Sequence, residues 1–395
     1  MQGKILIVNG GSSSLKFQVM DSTTKEVLSS GLAERIQVDG SFTIKTAEGK
    51  FTIEQDLNDH KEAIQLLIQQ LKEKNIINSL NEIVGIGHRI VQGGEIFKES
   101  AIIDSENLKK VRELSKLAPL HNPGEADIIE AFSTLLPNVK NVGVFDTSFH
   151  QTMDAEEFLY AVPNEWYEKY DVRRYGAHGT SHKYITNQMK TILNKESVNL
   201  VICHLGNGSS LSAIKNSKVI NTSMGLTPLA GLIMGTRSGD LDPAIVGYMS
   251  QQTGRSAEEI VDDLNHKSGL LALSGISSDM RDIRVALAKG DEKAKRTVRM
   301  FAKRIATYIV DYANQIGEKL DGIVFTAGIG ENSWEIRKVI LEQVKILGTK
   351  LSDEKNQSEY ESYNKISDES SKIDLYAMRT NEELVIANEL LEIIK

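Results

Sequence analysis

The segment from Ile5 to Val19, ILIVNGGSSSLKFQV, decides the fold of this chain. Its first four residues are apolar and predict a buried β-strand, whereas Leu15 to Val19 alternate between apolar and polar residues and predict a half-buried strand. The two glycines and three serines between these strands predict a tight hairpin, because glycine turns freely and lets the backbone approach a ligand closely. An ordinary hairpin with a polar tip is the plainer interpretation of this segment taken alone.

Two features of the hairpin favour a ligand-binding loop. Backbone N–H groups and serine hydroxyls at such a tip can bind an anion, and Lys16 adds a positive charge suited to phosphate. Asn9 stands near the carboxyl end of the first strand, where a polar side chain can face a cleft. The hairpin is therefore a candidate phosphate loop.

The same pattern of apolar strand, Gly/Ser loop and alternating strand recurs at residues 200–214, about half a chain later. This recurrence predicts a duplicated domain. A third strand and glycine loop occupy residues 322–332, and we expect a helix to follow, whose N-terminus would be another anion site. Neither the P-loop motif nor the glycine fingerprint of dinucleotide-binding folds is present.

Composition restricts the class of protein. The 395 residues exceed the size of one ordinary core, so two domains are expected. The net charge of −8 argues against binding to nucleic acid, which requires a basic face. The single cysteine, Cys203, suits a reducing compartment. Because the first residues do not resemble a signal peptide and no apolar run has the length of a membrane span, we expect a cytoplasmic protein without a membrane partner.

Three charged residues stand beside apolar strands and could contact a ligand. Arg89 and Arg237 carry the planar guanidinium that binds carboxylate or phosphate through two hydrogen bonds, although a structural ion pair is the plainer interpretation of either arginine taken alone. Asp146 ends a buried strand, which is where ligand-binding groups lie in α/β sheets, although it could also cap a turn or helix.

Histidines are concentrated in the motif loops, which contain five of the eight in the chain. These five are His121, His150, His178, His182 and His204. Their spacings match no zinc-binding pattern, so a zinc site is not expected. Carboxylate and amide oxygens together with phosphates suit Mg²⁺ better, and Asn9 and Glu382 are the candidates.

Taken together, the motifs resemble those of the acetate kinase family, and the resemblance runs from end to end of the chain. The motifs are NGGSSSLK from Asn9, GHR from Gly87, VFDTSFHQ from Val144, RYGAHGTSH from Arg174, HLGNG from His204, MGTRSGD from Met234 and TNEE from Thr380. The family belongs to the superfamily that groups acetate and sugar kinases with actin-like ATPases.

The resemblance implies an α/β protein with a duplicated actin-like ATPase (ribonuclease H-like) fold, whose two domains flank an active-site cleft. Residues 1–150, completed by 383–395, would form the N-terminal domain. Residues 151–382 would form the C-terminal domain, which would bind nucleotide and form a homodimer. The implied reaction is reversible, direct in-line transfer of the γ-phosphoryl group of ATP to acetate, giving acetyl phosphate and ADP. It would depend on Mg²⁺, with Mn²⁺ as a substitute.

The resemblance also implies roles for individual residues. The catalytic residues would be Asp146, His178 and Arg237. The substrate-binding residues would be Arg89, Val91, Leu120 and Pro228, and Asn9 and Glu382 would hold the metal. The nucleotide-binding residues would be Ser12, Ser14, Lys16, His204, Leu205, Gly206, Asn207, Gly208, Asp279, Met280, Arg281, Gly328, Ile329, Gly330, Glu331 and Asn332. These residue types suit phosphoryl transfer, which needs positioning and positive charge more than covalent chemistry.

Two positions depart from the family pattern. Gln92 replaces a common histidine, and Ala177 replaces a common phenylalanine in the pocket for the acetate methyl group. The smaller alanine suggests better acceptance of propionate, so propionate or another short-chain fatty acid is the alternative substrate. A nucleotide-dependent binding module and a catalytically inactive scaffold are the other hypotheses, and the complete motif set disfavours both.

Overall fold

The computed structural model of the protein describes residues 2–11, 13–119 and 121–395, and these residues divide into two units. Unit 1 comprises Met1–Phe149 and Asn381–Lys395, and unit 2 comprises His150–Thr380. Within the described ranges, no helix combines the length and the apolar character that a membrane span requires.

Unit 1 is built on a sheet of eight strands. The strands are β1 (Lys4–Gly11), β2 (Ser14–Asp21), β3 (Val27–Glu34), β4 (Ser41–Thr46), β5 (Gly49–Glu54), β6 (Ile83–Ile90), β7 (Ala101–Ile102) and β8 (Asn141–Phe145). Their order across the sheet is β5-β4-β3-β2-β1-β6-β8-β7. Strand β1 is antiparallel to β2 but parallel to β6, which is in turn parallel to β8.

Three α-helices of unit 1 lie between its strands along the chain. Helix α1 (His60–Glu73) lies between β5 and β6, and α2 (Ser105–Glu113) and α3 (Asn122–Leu135) lie between β7 and β8. Strand β1 is apolar on both faces because both faces are covered. Leu6 and Val8 belong to a core cluster that includes residues of α1 and α3, whereas Ile5 and Ile7 belong to a second cluster. This double burial explains the continuous apolar run at the start of the sequence.

Unit 2 is built on a second sheet, of six strands. They are β9 (Leu200–Leu205), β10 (Ser209–Lys215), β11 (Lys218–Thr222), β12 (Gly322–Thr326), β13 (Tyr363–Lys365) and β14 (Leu375–Met378), in the order β11-β10-β9-β12-β14-β13. The helices are α4 (Ala155–Phe158), α5 (Asn164–Tyr170), α6 (Gly179–Leu193), α7 (Ala244–Thr253), α8 (Ala257–His266), α9 (Gly269–Ser274), α10 (Met280–Ala288), α11 (Glu292–Ile316), α12 (Ala327–Asn332), α13 (Trp334–Leu341) and α14 (Asp353–Gln357).

The last helix, α15 (Glu382–Ile394), belongs to unit 1. The side chain of Asn381 accepts a hydrogen bond from the backbone N–H of Leu384 and so caps the helix. Ile386 and Leu390 of α15 lie in the same core cluster as Ile5 and Ile7 of β1. The C-terminal helix therefore covers one face of the sheet and brings Glu382, in its first turn, into unit 1.

The predicted duplication is confirmed by the topology of the two sheets. In unit 1 the strands β3-β2-β1-β6-β8 are neighbours in that order, and in unit 2 the strands β11-β10-β9-β12-β14 are neighbours in the same way. In each set, the first three strands pair antiparallel and the last three pair parallel. The two halves of the chain thus repeat one strand arrangement.

Both predicted hairpins are present, and the first has a shorter tip than the glycines and serines suggest. Strand β1 continues through Gly11, which pairs with Ser14, so the predicted loop is partly strand. In unit 2 the corresponding hairpin closes at the pair Leu205 and Ser209. Extended glycines therefore form the end of β1 rather than a wide loop.

The helix expected after the third glycine loop is present as α13, but the loop itself is not irregular. The loop residues form the six-residue helix α12. Ser333 is not helical and separates α12 from α13. Ala327 opens α12 with a left-handed backbone (φ of 62°). Because glycine is a poor helix former, the sequence pattern favoured a loop here, and only the surrounding contacts make these residues helical.

Candidate active site

Three polar residues of unit 1 come together at the carboxyl ends of adjacent parallel strands. Asn9 on β1 lies opposite Arg89 on β6, and Arg89 lies opposite Val144 on β8, two residues before Asp146. The backbone N–H of Asp146 donates to the carbonyl of Ile90, which continues the pairing past the end of β8. Carboxyl ends of parallel strands are the usual location of ligand-binding groups.

Arg89 is the centre of this group. Its Nη2 donates to Asp146 Oδ2 at 2.6 Å and its Nε donates to the same oxygen at 3.1 Å. Its Nη1 lies 3.4 Å from Asn9 Oδ1, and its Nε lies 3.7 Å from Glu382 Oε2. Burial opposes the charge of Arg89, but Asp146 and Glu382 outweigh it and raise the pKa of the guanidinium. Arg89 is therefore a fixed cation held in a charged network.

Asn9 and Glu382 were predicted to hold a metal ion. Both contribute oxygen atoms within 4 Å of Arg89, and Mg²⁺ is commonly held by one or two such protein oxygens together with waters and phosphates. Burial, together with the charges of Asp146 and Glu383, raises the pKa of Glu382 to about 7. The described residues contain no group of three His, Cys, Asp or Glu side chains suited to a metal. The donor set thus fits a metal that is shared with a phosphate ligand.

The predicted nucleotide contacts of unit 1 lie at the first hairpin. Lys16 forms an ion pair with Glu383 in the first turn of α15. Ser14 begins β2, and Ser12 lies outside the described residues. Lys16 is thus connected to the helix that carries Glu382, although its own side chain is about half exposed.

The segment after Arg89 is held by buried side chains, of which the sequence singled out Gln92 but not Glu125 or Asn122. Glu125 of α3 accepts a hydrogen bond from the backbone N–H of Val91 at 3.1 Å. Asn122 accepts from the N–H of Gln92 and donates to its carbonyl, and Gln92 Oε1 accepts from the N–H of Gly94. Val91 is buried, and Leu120, also predicted to contact substrate, lies outside the described residues. These contacts fix the backbone that follows Arg89.

Glu125 is a carboxyl group in an unusual environment. Only 4% of the residue is exposed, and burial raises the pKa of its carboxyl to about 8. The hydrogen bond from Val91 and the charge of Arg89 oppose this rise, and the charge of Asp146 adds to it. In the sequence, Glu125 resembles any acidic residue in the first turn of a helix, and no local pattern indicates that it is buried.

In unit 2, a cavity of about 540 Å³ brings together many of the predicted nucleotide-binding residues. The cavity is lined by Gly206, Asn207, Ser278, Asp279, Met280, Arg281, Arg284, Gly328, Ile329, Asn332 and Ser333. Ser278, Arg284 and Ser333 were not predicted, because they flank the segments 279–281 and 328–332 rather than belong to them. The remaining predicted residues of unit 2, His204, Leu205, Gly208, Gly330 and Glu331, are not among its lining residues.

Glu331 forms structural hydrogen bonds. Its Oε1 accepts hydrogen bonds from the backbone N–H groups of Ala327 and Thr380, at 2.9 Å and 3.0 Å. The carboxylate therefore joins the start of α12 to the segment that follows β14. It shapes the glycine loop whose residues Gly328 and Ile329 line the cavity.

His178 and Arg237 converge on Gly208 at the second hairpin. A side-chain carbon placed on Gly208 would lie 3.4 Å from His178 Nε2 and 3.5 Å from Arg237 Nη1. The loop that carries Arg237 is fastened to this hairpin, since the N–H of Gly235 donates to the carbonyl of Asn207 at 2.8 Å. A histidine and an arginine thus flank a glycine next to the cavity, where a small residue leaves space for an anion.

Arg237 differs from Arg89 in its partners. Its Nη1 has only weak contacts, 3.4 Å to the carbonyl of Pro228 and 3.9 Å to Met234 Sδ. Among the described residues, no carboxylate pairs with it, and burial lowers the pKa of its guanidinium. A largely buried guanidinium without a carboxylate is costly unless an anion binds there. Arg237 is therefore suited to a ligand anion.

Ala177, the departure from the family pattern, is buried beside two methionines. It forms a small apolar cluster with Met224 and Met234. Met234 also contacts Arg237, so this cluster lies next to the guanidinium. Flexible methionine side chains can fill space that a phenylalanine would otherwise occupy. The substitution to alanine therefore does not by itself create an open pocket.

Comparisons with known proteins match this chain over nearly its full length. The sequence profile of the Acetokinase family matches residues 4–388. An acetate kinase of Mycoplasmoides gallisepticum is 49% identical, covering 99% of this chain and 100% of the relative. Two solved structures, a propionate kinase of Francisella tularensis and an acetate kinase of Porphyromonas gingivalis, each superpose with a TM-score of 0.94. The propionate kinase is 41% identical and covers 99% of this chain, and the acetate kinase is 37% identical and covers 100% of it. In both cases this chain covers 100% of the solved chain.

The buried carboxyl of Glu125 predicts a pH-dependent stability. Between pH 4.5 and 8 the folded protein retains a proton that the unfolded chain has released, so stability falls as pH rises through this window. Glutamine cannot ionise but can still accept from Val91. We therefore expect the unfolding free energy of Glu125→Gln minus that of the wild type to increase by roughly 2–4 kcal/mol as pH rises from 5 to 8.5. Urea unfolding at each pH measures both free energies.

The control is Glu113→Gln, which alters an exposed glutamate of the same unit. Its unfolding free energy should follow that of the wild type across the whole pH range. If the unfolding free energies of Glu125→Gln and the wild type change with pH in parallel, the buried carboxyl does not titrate as expected.

Proposed function

We propose, because this chain belongs to the acetokinase family, that it transfers the γ-phosphoryl group of ATP to acetate, giving acetyl phosphate and ADP in a reversible reaction. Unit 1 supplies the groups that bind the acceptor and the metal. Unit 2 supplies the groups that bind the nucleotide and stabilise the transferring phosphoryl group. The substrates are therefore acetate and ATP in one direction, and acetyl phosphate and ADP in the other.

The observation that carries this proposal is Arg237, a largely buried arginine that no described carboxylate neutralises, next to His178 and the glycine hairpin. Phosphoryl transfer develops charge on the equatorial oxygens of the transferring group. Preorganised donors aimed at that charge lower the barrier, because they need no rearrangement during the reaction. Arg237 and His178 have the residue types and the placement for this role, beside the cavity that would hold the nucleotide.

Acetate is the acceptor for which Arg89 is suited. Carboxyl groups of this kind titrate near pH ~4, so acetate is already an anion at neutral pH and needs no strong base. Asp146 occupies the Nε and Nη2 side of Arg89, so the acetate carboxylate would bind at the Nη1 side, where Asn9 Oδ1 makes only a 3.4 Å contact. Asp146 would orient Arg89 and the acceptor more than it moves protons. Val91, Leu120 and Pro228 would contact the methyl group.

Asn9 and Glu382 would hold Mg²⁺, or Mn²⁺ in its place, and Lys16 would contact the nucleotide. When bound, the metal neutralises negative charge on the phosphate oxygens. Asn9 is positioned by its strand and by Arg89, and Glu382 by the capped start of α15. The charge of Lys16 also reaches this helix turn through Glu383.

Propionate is the second candidate substrate, and it is favoured by Ala177 and by the similarity to a propionate kinase. One methylene group in an apolar pocket changes discrimination by only about 1–3 kcal/mol. The two methionines beside Ala177 reduce the available space further. Acetate is therefore the main substrate in this proposal, with propionate accepted to a lesser degree.

A homodimer is the assembly that we propose, formed through unit 2. Helix α7 has no buried residue, yet it exposes Ile245, Tyr248 and Met249, and the neighbouring α8 exposes Val261. Exposed apolar side chains in one region commonly mark an interface. We also propose a cytoplasmic location, which suits the buried, unpaired Cys203.

The activity can be tested by trapping the acyl phosphate with hydroxylamine. With acetate, ATP and Mg²⁺, the wild type should form acetyl hydroxamate. Arg237→Gln should lower kcat by roughly 10³-fold, because a positive charge aimed at the transferring group is lost. The matched control is Arg255→Gln, which alters an arginine that is paired with Asp263 and should keep its activity. Absence of hydroxamate with acetate, propionate and butyrate would exclude the kinase function.

Specificity can be tested with Ala177→Phe. We expect the ratio of kcat/KM for acetate to that for propionate to rise by about 2–10-fold, since the added ring narrows the pocket. A size-matched apolar change away from the cluster, Ala286→Phe, is the control and should leave the ratio unchanged. Equal ratios in Ala177→Phe and the wild type would show that position 177 does not set acceptor size.

The dimer can be tested by light scattering. The wild type should have about twice the chain mass of 43.8 kDa. Tyr248→Glu should shift the protein towards the monomer, because it places a charge in the apolar face of α7. Tyr170→Glu, at an exposed tyrosine elsewhere in unit 2, should remain dimeric. A monomeric wild type at micromolar concentration would contradict the proposed assembly.

A further inference from the structure

A buried chain of side chains lies behind His178 in unit 2. The hydroxyl of Ser210 on β10 lies 2.9 Å from His178 Nδ1 and 2.9 Å from His182 Nε2. Ser210 and His182 are completely buried, and His182 follows His178 by one turn at the start of α6. One hydroxyl therefore connects the two imidazole rings. It contacts His178 at Nδ1, whereas the other ring nitrogen of His178, Nε2, lies near Gly208 and Arg237.

The direction of these hydrogen bonds can be inferred from the number of hydrogens. A serine hydroxyl has one proton, so Ser210 can donate to only one of the two rings. The described residues offer its oxygen no third partner, so if both rings donated to it, the hydroxyl proton would be buried without an acceptor. One ring must therefore donate to Ser210, and the other must accept from it.

His182 decides which ring donates. Its Nδ1 is buried and has no hydrogen-bond partner among the described residues. A buried N–H group without an acceptor is rarer in proteins than a buried acceptor without a donor. His182 therefore carries its proton on Nε2 and donates to Ser210, which donates to Nδ1 of His178. His178 then carries its single proton on Nε2.

We propose that Ser210 and His182 are positioning residues that hold His178 as a neutral imidazole with its proton on Nε2, directed to donate to the transferring phosphoryl group. This inference rests on the proposed kinase function. The positive charge at the site then comes from Arg237, and His178 contributes an oriented hydrogen bond. A donor that is fixed before the reaction stabilises developing charge without reorganising.

The surroundings of His182 favour its neutral form. Burial, and then the charges of His150 and His204, hold the pKa of His182 well below its usual range. The ring of His204 stacks on His178 with centroids 4.1 Å apart, and Arg237 approaches from the side of Gly208. His204, Arg237 and the hydroxyl of Ser210 thus face His178.

The backbone of His178 is also held in a strained form. Its φ of 60° lies in the left-handed region, which is uncommon for residues other than glycine. Such conformations persist where surrounding contacts fix them, and they occur often at functional sites. The hydrogen bond from Ser210 to the ring is one such contact, so it would orient the side chain as well as select its tautomer.

The direct test is ¹⁵N–¹H NMR of the histidine rings in the free wild-type protein. His178→Gln and His182→Gln spectra would assign the signals. We expect both rings to be neutral with the proton on Nε2 from pH 6 to pH 8. A proton on Nδ1 of His178, or a protonated His178 ring in this range, would overturn the proposal. This measurement requires neither substrate nor catalytic activity.

A variant test uses Ser210→Ala, with Ser212→Ala as the matched control. Ser212 is also buried, lies two residues further along β10, and is 3.4 Å from His150 Nε2 rather than near His178. We expect Ser210→Ala to lower kcat about 10–100-fold with little change in KM, as is typical when a supporting hydrogen bond is lost. In its NMR spectra, His178 should gain an Nδ1–H population and take up a proton at higher pH than in the wild type. Equal kcat values in the two variants would overturn the proposal.

The outcomes also separate this inference from the proposed function. If the wild type forms no acyl phosphate, the kinase function fails, whereas the ring tautomers are still decided by NMR. If the wild type is active but His178 is not in the Nε2–H form, only the positioning role fails. If Ser210→Ala does not fold, the wild-type spectra alone support or overturn the proposal.

Discussion

The parallel pairing of β1, β6 and β8 is the constraint on which the chemistry of unit 1 depends. It sets Asn9 opposite Arg89 and places Asp146 just beyond the end of the neighbouring strand. A shift of one residue in this register would turn each side chain to the other face of the sheet. Close packing resists such a shift, because Leu6 and Val8 are packed in one core cluster and Ile5 and Ile7 in another. The hydrophobic core thus fixes the positions of the charged groups.

The two arginines show how the same residue type acquires different chemistry. Arg89 is held by the carboxylates of Asp146 and Glu382, so its charge is compensated before any ligand binds. Arg237 is mostly buried and has no carboxylate partner among the described residues, so its charge is available to an anion. The first arrangement suits orientation of a small acceptor, and the second suits stabilisation of a phosphoryl group.

Both units support their functional side chains with buried polar groups. In unit 1, Glu125 fixes the backbone of Val91 after β6. In unit 2, Ser210 joins His178 to His182. Buried polar groups are costly unless they are hydrogen-bonded, and once bonded they restrict the site to one arrangement. These contacts limit the motion of the segments that carry Arg89 and His178.

The sequence by itself determined the strands, the glycine hairpins, the duplication and the family, because these depend on local hydrophobic patterns and on short motifs. It did not determine that residues 327–332 form the helix α12, since the glycines from Gly328 favour a loop. The partners of Arg89 and Arg237, the burial of Glu125 and the hydrogen bonds of Ser210 were decided only by the tertiary structure. The reason is distance along the chain: Arg89 and Asp146 are 57 residues apart, and His178 and Ser210 are 32 apart. Whether a charge is paired, buried or exposed depends on residues that only the folded chain brings together.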